Sequence, residues 1–318
     1  MKWPYPTPPP RHGSSHRRIL ARAPGSTLTT SLTPATSRRT PTQPGDDCAL
    51  RPLKRLPLHS WTVHPKHIEQ PLLGGNVAAV VVRVGDTVRR PAGPWSSSID
   101  ALLLHLERAG YEGAPRALGY DQAGRQVLSF VEGYVDPDPL DLDRGRVADT
   151  GRMIREFHDV VTSFTPSPGS VWNVAIHPDR EDLICHHDLA PWNLVRGPSS
   201  LTFIDWDGAG PGSRLWDLAY AAHGFVPLAA GSSLRDLEAA SRLASLVDAY
   251  GLDERGRQEF VALLVPRIRS MYNLLRQGHR LGREPWSRLW SEGHGEIWLT
   301  DADYVEERIG LWEAAVNG

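Results

Sequence analysis

The alternation of hydrophobic and polar residues predicts strands in the first part of the folded chain. The predicted strands are residues 76–84, 87–90, 115–120 and 125–131. Gly85 and Asp86, between the first two strands, are typical of a tight hairpin turn. This pattern predicts a small β-rich lobe over about residues 67–132.

Apolar residues recur at helical spacing in most of the remaining chain. The predicted helices are residues 96–108, 146–158, 214–224, 233–250, 255–279 and 302–316. Ser97 or Ser98 would cap the first of them. Because the other helices all follow residue 133, the sequence predicts an α+β fold with a larger, mostly helical lobe over residues 133–318.

Residues 1–60 differ in composition from the rest of the chain. They hold eleven of the 27 prolines, and ten Lys or Arg against two Asp, although the net charge of the whole chain is −2. Such a segment cannot bury enough apolar surface to become ordered. We therefore predict a disordered basic extension rich in Pro, Ser and Arg. A transit peptide shares this composition. A nucleic-acid-binding tail would also be basic, but no aromatic residues lie between the arginines, so we expect no nucleic-acid binding.

The whole chain has the composition of a globular protein. Of its 318 residues, 40% are hydrophobic and 23% charged, and no apolar run reaches the roughly 18 residues of a membrane span. Its two cysteines, Cys48 and Cys185, cannot form a disulfide framework. Cys185 lies in an apolar run and is predicted to be a buried thiol. A reducing cytoplasm fits this cysteine usage.

Three polar residues stand at the ends of short apolar runs between positions 183 and 205. Asp188 follows the first run, Asn193 comes five residues later, and Asp205 ends the run 201–204. Asp and Asn favour turns in any protein, but this full pattern is rarely met by chance. A hairpin between the last two runs would bring the three side chains together. An Asp that accepts a hydroxyl proton, with Asn and Asp oxygens for Mg²⁺, is the set that phosphoryl transfer needs.

The segment from His186 to Tyr220 resembles the aminoglycoside phosphotransferase family, and a looser resemblance extends from about residue 73 to the C-terminus. The resemblance implies a protein-kinase-like two-lobe fold that binds ATP between a small β-rich N-lobe and a larger, mostly helical C-lobe. It also implies transfer of the γ-phosphate to a hydroxyl group of a small molecule, such as an aminoglycoside-like antibiotic or a metabolite.

The resemblance assigns roles to the residues of this segment. Asp188 would orient the acceptor hydroxyl and take its proton late in the reaction, while His186 would brace the loop. Asn193 and Asp205 would hold Mg²⁺. Asp217 would shape the loop by accepting backbone N–H groups. His187 stands where the family usually has a glycine.

Residues of the first lobe would cover the nucleotide that lies between the lobes. A glycine-containing loop in the family covers the phosphates, and Gly74, Gly75 and Asn76 occupy that place. A plain turn would explain these residues equally well. The segment 127–133 resembles the hinge between lobes, where backbone groups around Ser129 and Val131 would face the adenine. A simple edge strand would also fit this segment.

The cation that holds the phosphates is unusual in this chain. Relatives use a lysine on the returning strand, but the three lysines here are Lys2, Lys54 and Lys66, before that strand. Arg90, which lies on the same strand face as Val88, is predicted to take this role. Asp100 and Glu107 on the following helix are the candidates for its acidic partner.

The acceptor is less determined by the sequence. Acidic residues between positions 292 and 307 would suit a cationic aminosugar, although a solvated helical face explains them better. Two other functions stay open. A metal-dependent phosphohydrolase would use His158, His187 and Asp188 with a later Asp as ligands. A non-catalytic nucleotide-binding relative would explain the missing lysine.

Overall fold

The computed structural model describes residues 68–72, 81–136 and 138–318. The strands are β1 (Gln70–Pro71), β2 (Val82–Val84), β3 (Thr87–Arg90), β4 (Ala117–Tyr120), β5 (Gln126–Ser129), β6 (Tyr134–Val135), β7 (Leu183–Cys185), β8 (Leu194–Arg196), β9 (Leu201–Phe203) and β10 (Gly210–Gly212). The helices are α1 (Ser96–Arg108), α2 (Arg144–Val160), α3 (Arg214–Phe225), α4 (Asp236–Tyr250), α5 (Glu254–Arg280), α6 (Trp286–Ser291), α7 (His294–Glu307) and α8 (Ile309–Asn317). The predicted extension 1–60 and the predicted glycine loop lie outside the described residues.

The first part of the described chain is a five-stranded antiparallel sheet. Its strand order is β1-β2-β3-β5-β4, and Arg90 of β3 pairs in register with Gln126 of β5. The predicted hairpin at Gly85 is present, with the φ of +60° that favours glycine. Helix α1 follows β3, and its leucines enter the core, where each contributes roughly 2 kcal/mol by leaving water. The fully buried ones are Leu102, Leu103 and Leu106.

The start of α1 differs from the sequence prediction. Trp95 is the residue before the first turn, and no side chain caps the helix there. The predicted cap at Ser97 or Ser98 is therefore wrong. The hydroxyl of Ser98 instead accepts a hydrogen bond from the backbone N–H of Val171 at 2.9 Å, so a contact with a distant segment uses the group that could have capped the helix.

Short strands carry the central loops of the chain. β7 pairs antiparallel with β10, and β8 forms a hairpin with β9, with β6 at its other edge. The predicted hairpin between the last two apolar runs is thus confirmed. β7, β8 and β9 contain only three residues each, so the chain leaves each strand within a few residues of its polar side chain.

Helices make up most of the chain after residue 143. Helices α2 and α4 pack side by side, and α5 packs against α3 and α7. The predicted single helix 302–316 is wrong, because α7 ends at Glu307 and α8 begins at Ile309. Between them, Arg308 bonds to the carboxylate of Asp236 at 2.9 Å. Helix α6 has no counterpart among the predictions.

The order of these elements is that of a protein-kinase-like α+β fold, with a small sheet followed by a larger helical part. The division at residue 132 stays a prediction. Within the described residues, we find no helix whose length and apolar character would let it cross a bilayer.

Candidate active site

Asp188 lies in the loop that follows β7 and is only 4% exposed. One carboxylate oxygen, Oδ1, accepts a hydrogen bond from the Tyr220 hydroxyl at 2.9 Å. The other oxygen, Oδ2, accepts one from Nδ2 of Asn193 at 2.8 Å. Burial raises the pKa of Asp188 to about 6, and the negative charge of Asp205 acts in the same direction. The carboxylate is therefore held in place and is a better proton acceptor than an exposed aspartate.

Asn193 joins the loop to the β8–β9 hairpin. Its Nδ2 group also donates to the backbone carbonyl of Asp188 at 3.0 Å. The backbone carbonyl of Asn193 accepts a hydrogen bond from the backbone N–H of Ile204 at 2.8 Å. Because the amide nitrogen is directed at Asp188, the side-chain oxygen Oδ1 is the atom that Asn193 can offer to a cation. The backbone bond to Ile204 ties Asn193 to the residue before Asp205, and the charge of Asp205 is close enough to act on the Asp188 carboxylate.

Asp205 follows β9 in a left-handed conformation, with φ 64° and ψ 58°. Few residues other than glycine adopt this conformation, although Asp and Asn do so more readily than most. The side chain of Asp205 is 36% exposed. Asn193 and Asp205 supply carboxylate and amide oxygens, the donors that Mg²⁺ accepts. The residues present thus fit the predicted metal site.

Arg90 brings a positive charge to the same place. Its Nη1 lies 3.9 Å from Oδ1 of Asp205, and its Nη2 pairs with the carboxylate of Asp207. The indole N–H of Trp95 also donates to Asp207, at 2.9 Å. Arg90, the cation predicted from the sequence, therefore lies next to Asp205, a candidate metal ligand.

Helix α1 contacts Arg90 through a bridging residue. Nε of Arg90 donates to Gln126 at 2.9 Å, and Gln126 donates to Asp100 at 2.6 Å. Asp100 is thus linked to Arg90 indirectly. Glu107 is not a partner, because it pairs with Arg116.

Asp217 organises the backbone of the loop. It accepts hydrogen bonds from the N–H groups of His186 at 3.0 Å and His187 at 2.8 Å, as the sequence analysis predicted. Burial alone would raise its pKa, but the hydrogen bond from His158 and the neighbouring histidines lower the pKa to about 2. Asp217 is therefore a buried anion that fixes the residues before Asp188.

His186 braces the loop through its ring. Its Nε2 lies 3.2 Å from the carbonyl of Ile204, and its Nδ1 accepts from the backbone N–H of Asp188 at 3.3 Å. Burial lowers the pKa of His186 to about 4. At neutral pH the ring is uncharged, so one nitrogen donates to Ile204 and the other accepts.

The histidines do not form the metal set of a phosphohydrolase. Nε2 of His187 is directed at the carbonyls of Gly210 and Pro211, at 3.2 and 3.0 Å, and His158 lies between Tyr250 and Asp217. His187 adopts the left-handed φ of 65°, a conformation that favours the glycine implied by the resemblance.

His158 also lies close to Cys185. Their ligand atoms and a carboxylate oxygen of Asp217 are all within 4.8 Å of one another. Cys185 is fully buried, as predicted, and burial raises the pKa of its thiol. Since its sulfur donates to the carbonyl of Ser213 at 3.3 Å, we assign this group to the packing beneath the loop.

The predicted adenine contacts, Ser129 and Val131, lie at and just after the end of β5. Ser129 and Val131 line a cavity of about 240 Å³ together with the end of α1, and Asp188, Asn193 and Asp205 are not among its lining residues. The hydroxyl of Ser129 accepts from the backbone N–H of Arg116 at 2.9 Å. The adenine-facing role of Ser129 and Val131 stays a prediction, and Gly74, Gly75 and Asn76 lie outside the described residues.

Most of the acidic residues near the C-terminus are engaged with arginines. Arg269 pairs with Asp303 and Glu306, and Arg288 pairs with Glu292. The tryptophans of this region pack between helices, since Trp298 and Trp312 are at most 3% exposed. These contacts favour a solvated helical face over an aminosugar site.

Several residues of the site were not found from the sequence. Tyr220 and Gln126 contact the predicted residues Asp188 and Arg90. Trp95 contacts Asp207, which pairs with Arg90, and the guanidinium of Arg267 lies over the Tyr220 ring. The spacing of Tyr220 three residues after Asp217 placed it on the same helix turn, which is the only sequence signal for any of them.

The fold and this site define a protein of the protein-kinase-like class. A family model described as the phosphotransferase enzyme family matches residues 170–260, which contain Asp188, Asn193 and Asp205. A curated relative, the trifolitoxin immunity protein of Rhizobium leguminosarum bv. trifolii, is 34% identical over 215 residues. The match covers 61% of this chain and 78% of the relative. The chain belongs to the phosphotransferase enzyme family, and the predicted resemblance is confirmed.

Solved structures share the fold. A choline/ethanolamine kinase family protein from Mesorhizobium loti has a TM-score of 0.54 and 15% identity, covering 80% of this chain and 94% of that protein. A microcompartment-associated aminopropanol kinase has a TM-score of 0.55 and 15% identity, with 78% and 93% covered. The predicted fold is thus confirmed, and the predicted class, a small-molecule kinase, is confirmed at the level of the family.

Proposed function

We propose that this protein transfers the γ-phosphate of ATP to a hydroxyl group of a small molecule. The observation that carries the proposal is the grouping of Asp188, Asn193 and Asp205 around one loop and one hairpin, with Arg90 beside them. Phosphoryl transfer depends mainly on positioning and on charge stabilisation. A fixed carboxylate, two oxygen ligands and one cation supply both.

Each side chain would then have a defined task. Asp188 would accept the hydrogen bond of the acceptor hydroxyl and take its proton as the bond to phosphorus forms. Asn193 and Asp205 would hold Mg²⁺, which supplies neutralisation of the phosphate charge when bound. Arg90 would exchange its contact with Asp207 for the phosphate oxygens, since a guanidinium binds both kinds of group well. A cytoplasmic location, where ATP is present, is part of this proposal.

The acceptor is proposed only as a class. An antibiotic, toxin or metabolite with a free hydroxyl is consistent with the similarity of this chain to the trifolitoxin immunity protein and with the fold that it shares with an aminopropanol kinase. The arginine contacts of Asp303, Glu306 and Glu292 do not favour an acceptor with many positive charges.

An ADP-release assay with Mg²⁺ over a panel of hydroxylated compounds tests the proposal. The panel would contain amino alcohols, aminoglycosides, sugar alcohols and trifolitoxin. We expect turnover with at least one class, reduced by about 10²- to 10⁴-fold in Asp188→Asn, because this variant loses the proton acceptor. Asp303→Asn, which changes an exposed carboxylate, should keep full turnover.

Two results would contradict the proposal. Binding of ATP without turnover on any acceptor would identify a non-catalytic relative. Equal turnover in Asp188→Asn and the wild type would show that the reaction uses another group.

A further inference from the structure

Both oxygens of the Asp188 carboxylate are occupied by neutral donors from different elements. Tyr220 reaches Oδ1 from helix α3, and Asn193 reaches Oδ2 from the turn before β8. Two donors on two oxygens fix the plane of a carboxylate, whereas one donor would let the plane rotate. The orientation of Asp188 is therefore set jointly by Tyr220 and Asn193.

Tyr220 is itself held firmly. The residue is 2% exposed, and the guanidinium of Arg267 lies over its ring, 4.2 Å from the ring centre. The ring also stacks with Trp298 at a centre-to-centre distance of 6.4 Å. These contacts leave the phenol few alternative positions, so its hydroxyl is aimed at Asp188.

Arg267 connects Tyr220 to the backbone of the loop. Its Nη2 donates to the carbonyl of His187, the residue before Asp188, at 3.3 Å. Arg267 is 2% exposed, and its Nε has no hydrogen-bond partner among the described residues. Burying a guanidinium with incomplete hydrogen bonding costs several kcal/mol, and the negative charges of Asp217 and Asp188 offset part of this cost. The guanidinium therefore lies between the Tyr220 ring and the loop backbone, close to two carboxylates.

We propose that Tyr220 is a positioning residue for phosphoryl transfer, and that Arg267 holds it against Asp188. The phenol hydroxyl uses one lone pair of Oδ1 and leaves the carboxylate its negative charge and a further lone pair for the acceptor hydroxyl. A misplacement of about 1 Å in such a group lowers the rate by roughly 10²-fold. The inference rests on the proposed function, because the orientation of Asp188 matters only if Asp188 contacts the acceptor.

The test is the substitution Tyr220→Phe, which removes the hydroxyl and keeps the ring. We expect kcat to fall by roughly 10- to 100-fold, while the KM for nucleotide changes less than about twofold and the Tm by only a few degrees. The matched control is Tyr304→Phe. Tyr304 also donates to a carboxylate, Oδ1 of Asp236, at 2.8 Å, but it does not contact the site. Its kcat should equal that of the wild type.

Arg267→Met separates positioning from packing. Because Arg267→Met leaves the buried carboxylates of Asp217 and Asp188 without this neighbouring cation, we expect a lower Tm in either case. If Arg267 holds Tyr220, the variant also lowers kcat by a similar factor. If Arg267 only fills the core, the Tm falls and kcat does not. A crystal structure of Tyr220→Phe gives a readout without activity, since the Asp188 carboxylate should rotate about its χ2 angle.

The outcomes are distinguishable. An inactive wild type contradicts the proposed function and the inference together. An active wild type, with Tyr220→Phe equally active and Asp188 unrotated, overturns the inference alone. A joint loss of kcat, nucleotide binding and Tm in both variants would assign the two residues to packing.

Discussion

At the scale of single residues, Arg90 is the most unusual feature of the site, because the resemblance implies a lysine in the role predicted for it. Its guanidinium contacts Gln126, Asp205 and Asp207 at once. A lysine ammonium is a point charge and does not present this planar fork of donors. The three side chains around Arg90 therefore suit the several donors of a guanidinium better than the single ammonium of a lysine.

We predict that Arg90→Ala lowers kcat/KM for nucleotide by roughly 10- to 150-fold, the equivalent of one charge-assisted hydrogen bond. Arg90→Lys should retain an intermediate value, since it keeps the charge alone. The neighbouring residue provides the control, because Arg89 bonds to Thr87 at 2.7 Å and does not contact the carboxylates of the site. Nucleotide kinetics of the three variants measure this, and equal losses in Arg89→Ala and Arg90→Ala would contradict it.

Asp217 yields a prediction on stability. Its pKa is lowered in the folded protein to about 2, so its stabilising effect is complete above the unfolded pKa near 4 and is lost as pH falls toward 2. Asp217→Asn should lower the free energy of unfolding at pH 7 by about 3 kcal/mol, because the amide cannot accept all three hydrogen bonds.

The pH dependence is the distinguishing test for Asp217. In urea unfolding, the difference in the free energy of unfolding between the wild type and Asp217→Asn should be constant from pH 7 to about 5. It should narrow between about pH 4 and 2. Asp248→Asn removes an exposed carboxylate paired with Arg257 and should cost less than about 1 kcal/mol. A difference that does not narrow at low pH would contradict the ionised state of Asp217.

At the scale of elements, the contact between α2 and α4 depends on a glycine. A Cβ added at Gly151 would lie 2.5 Å from the backbone oxygen of Leu246 and 3.3 Å from the Cβ of Ala249. A backbone atom cannot move away as a flexible side chain can. The two helices would have to separate, which loosens the packing along both.

We expect Gly151→Ala to destabilise the protein by about 1–3 kcal/mol, the usual effect of overpacking, despite the better helix propensity of alanine. Gly310→Ala in α8 is the control, since its added Cβ meets no atom within 4 Å and should stabilise by up to about 1 kcal/mol. Thermal unfolding of both variants decides this. A Gly151→Ala variant as stable as the control would show that the helices can move apart freely.

Helices show how far the sequence could predict this fold. Helix α1 was predicted at both ends, because its leucines keep one helical period between a prolyl segment and Gly110. The break between α7 and α8 was not, since Val305, Ile309 and Trp312 keep their helical phase across it. Arg308, the residue at the break, bonds to Asp236, which lies 72 residues away in the sequence, and such distant contacts leave no local pattern.

The same distinction applies to the site. Asp188, Asn193 and Asp205 could be predicted because polar residues at strand ends stand out from apolar neighbours. Tyr220 lies 32 residues from Asp188, and its apolar neighbours in the sequence are those of an ordinary core helix. Gln126 lies within the predicted strand 125–131, which gives it no sign of a role in the site. Residues that support a site from the core are recognised only when the contacts are known.

At the scale of the whole molecule, the candidate site joins the sheet to the helical part. Arg90 belongs to β3, whereas Asp205 and Asp207 follow β9, and the ion pairs between them already link the two parts. A ligand that binds Arg90 and Asp205 together would strengthen this link. Stability of the entire fold should therefore report on nucleotide binding.

Mg²⁺ and ATP together should raise the Tm in a way that depends on Asp205. At a concentration of about 100 times Kd, a ligand adds roughly 2.7 kcal/mol, which corresponds to a shift of roughly 5–10 °C for a folded unit of this size. We expect this shift with Mg²⁺ present and a much smaller one in EDTA. Asp205→Asn should remove the dependence on Mg²⁺, and asparagine tolerates the left-handed backbone of this position, so the variant should fold. Asp303→Asn should behave as the wild type. A shift in the wild type that is equal with and without Mg²⁺ would show that Asp205 pairs with Arg90 alone and holds no metal.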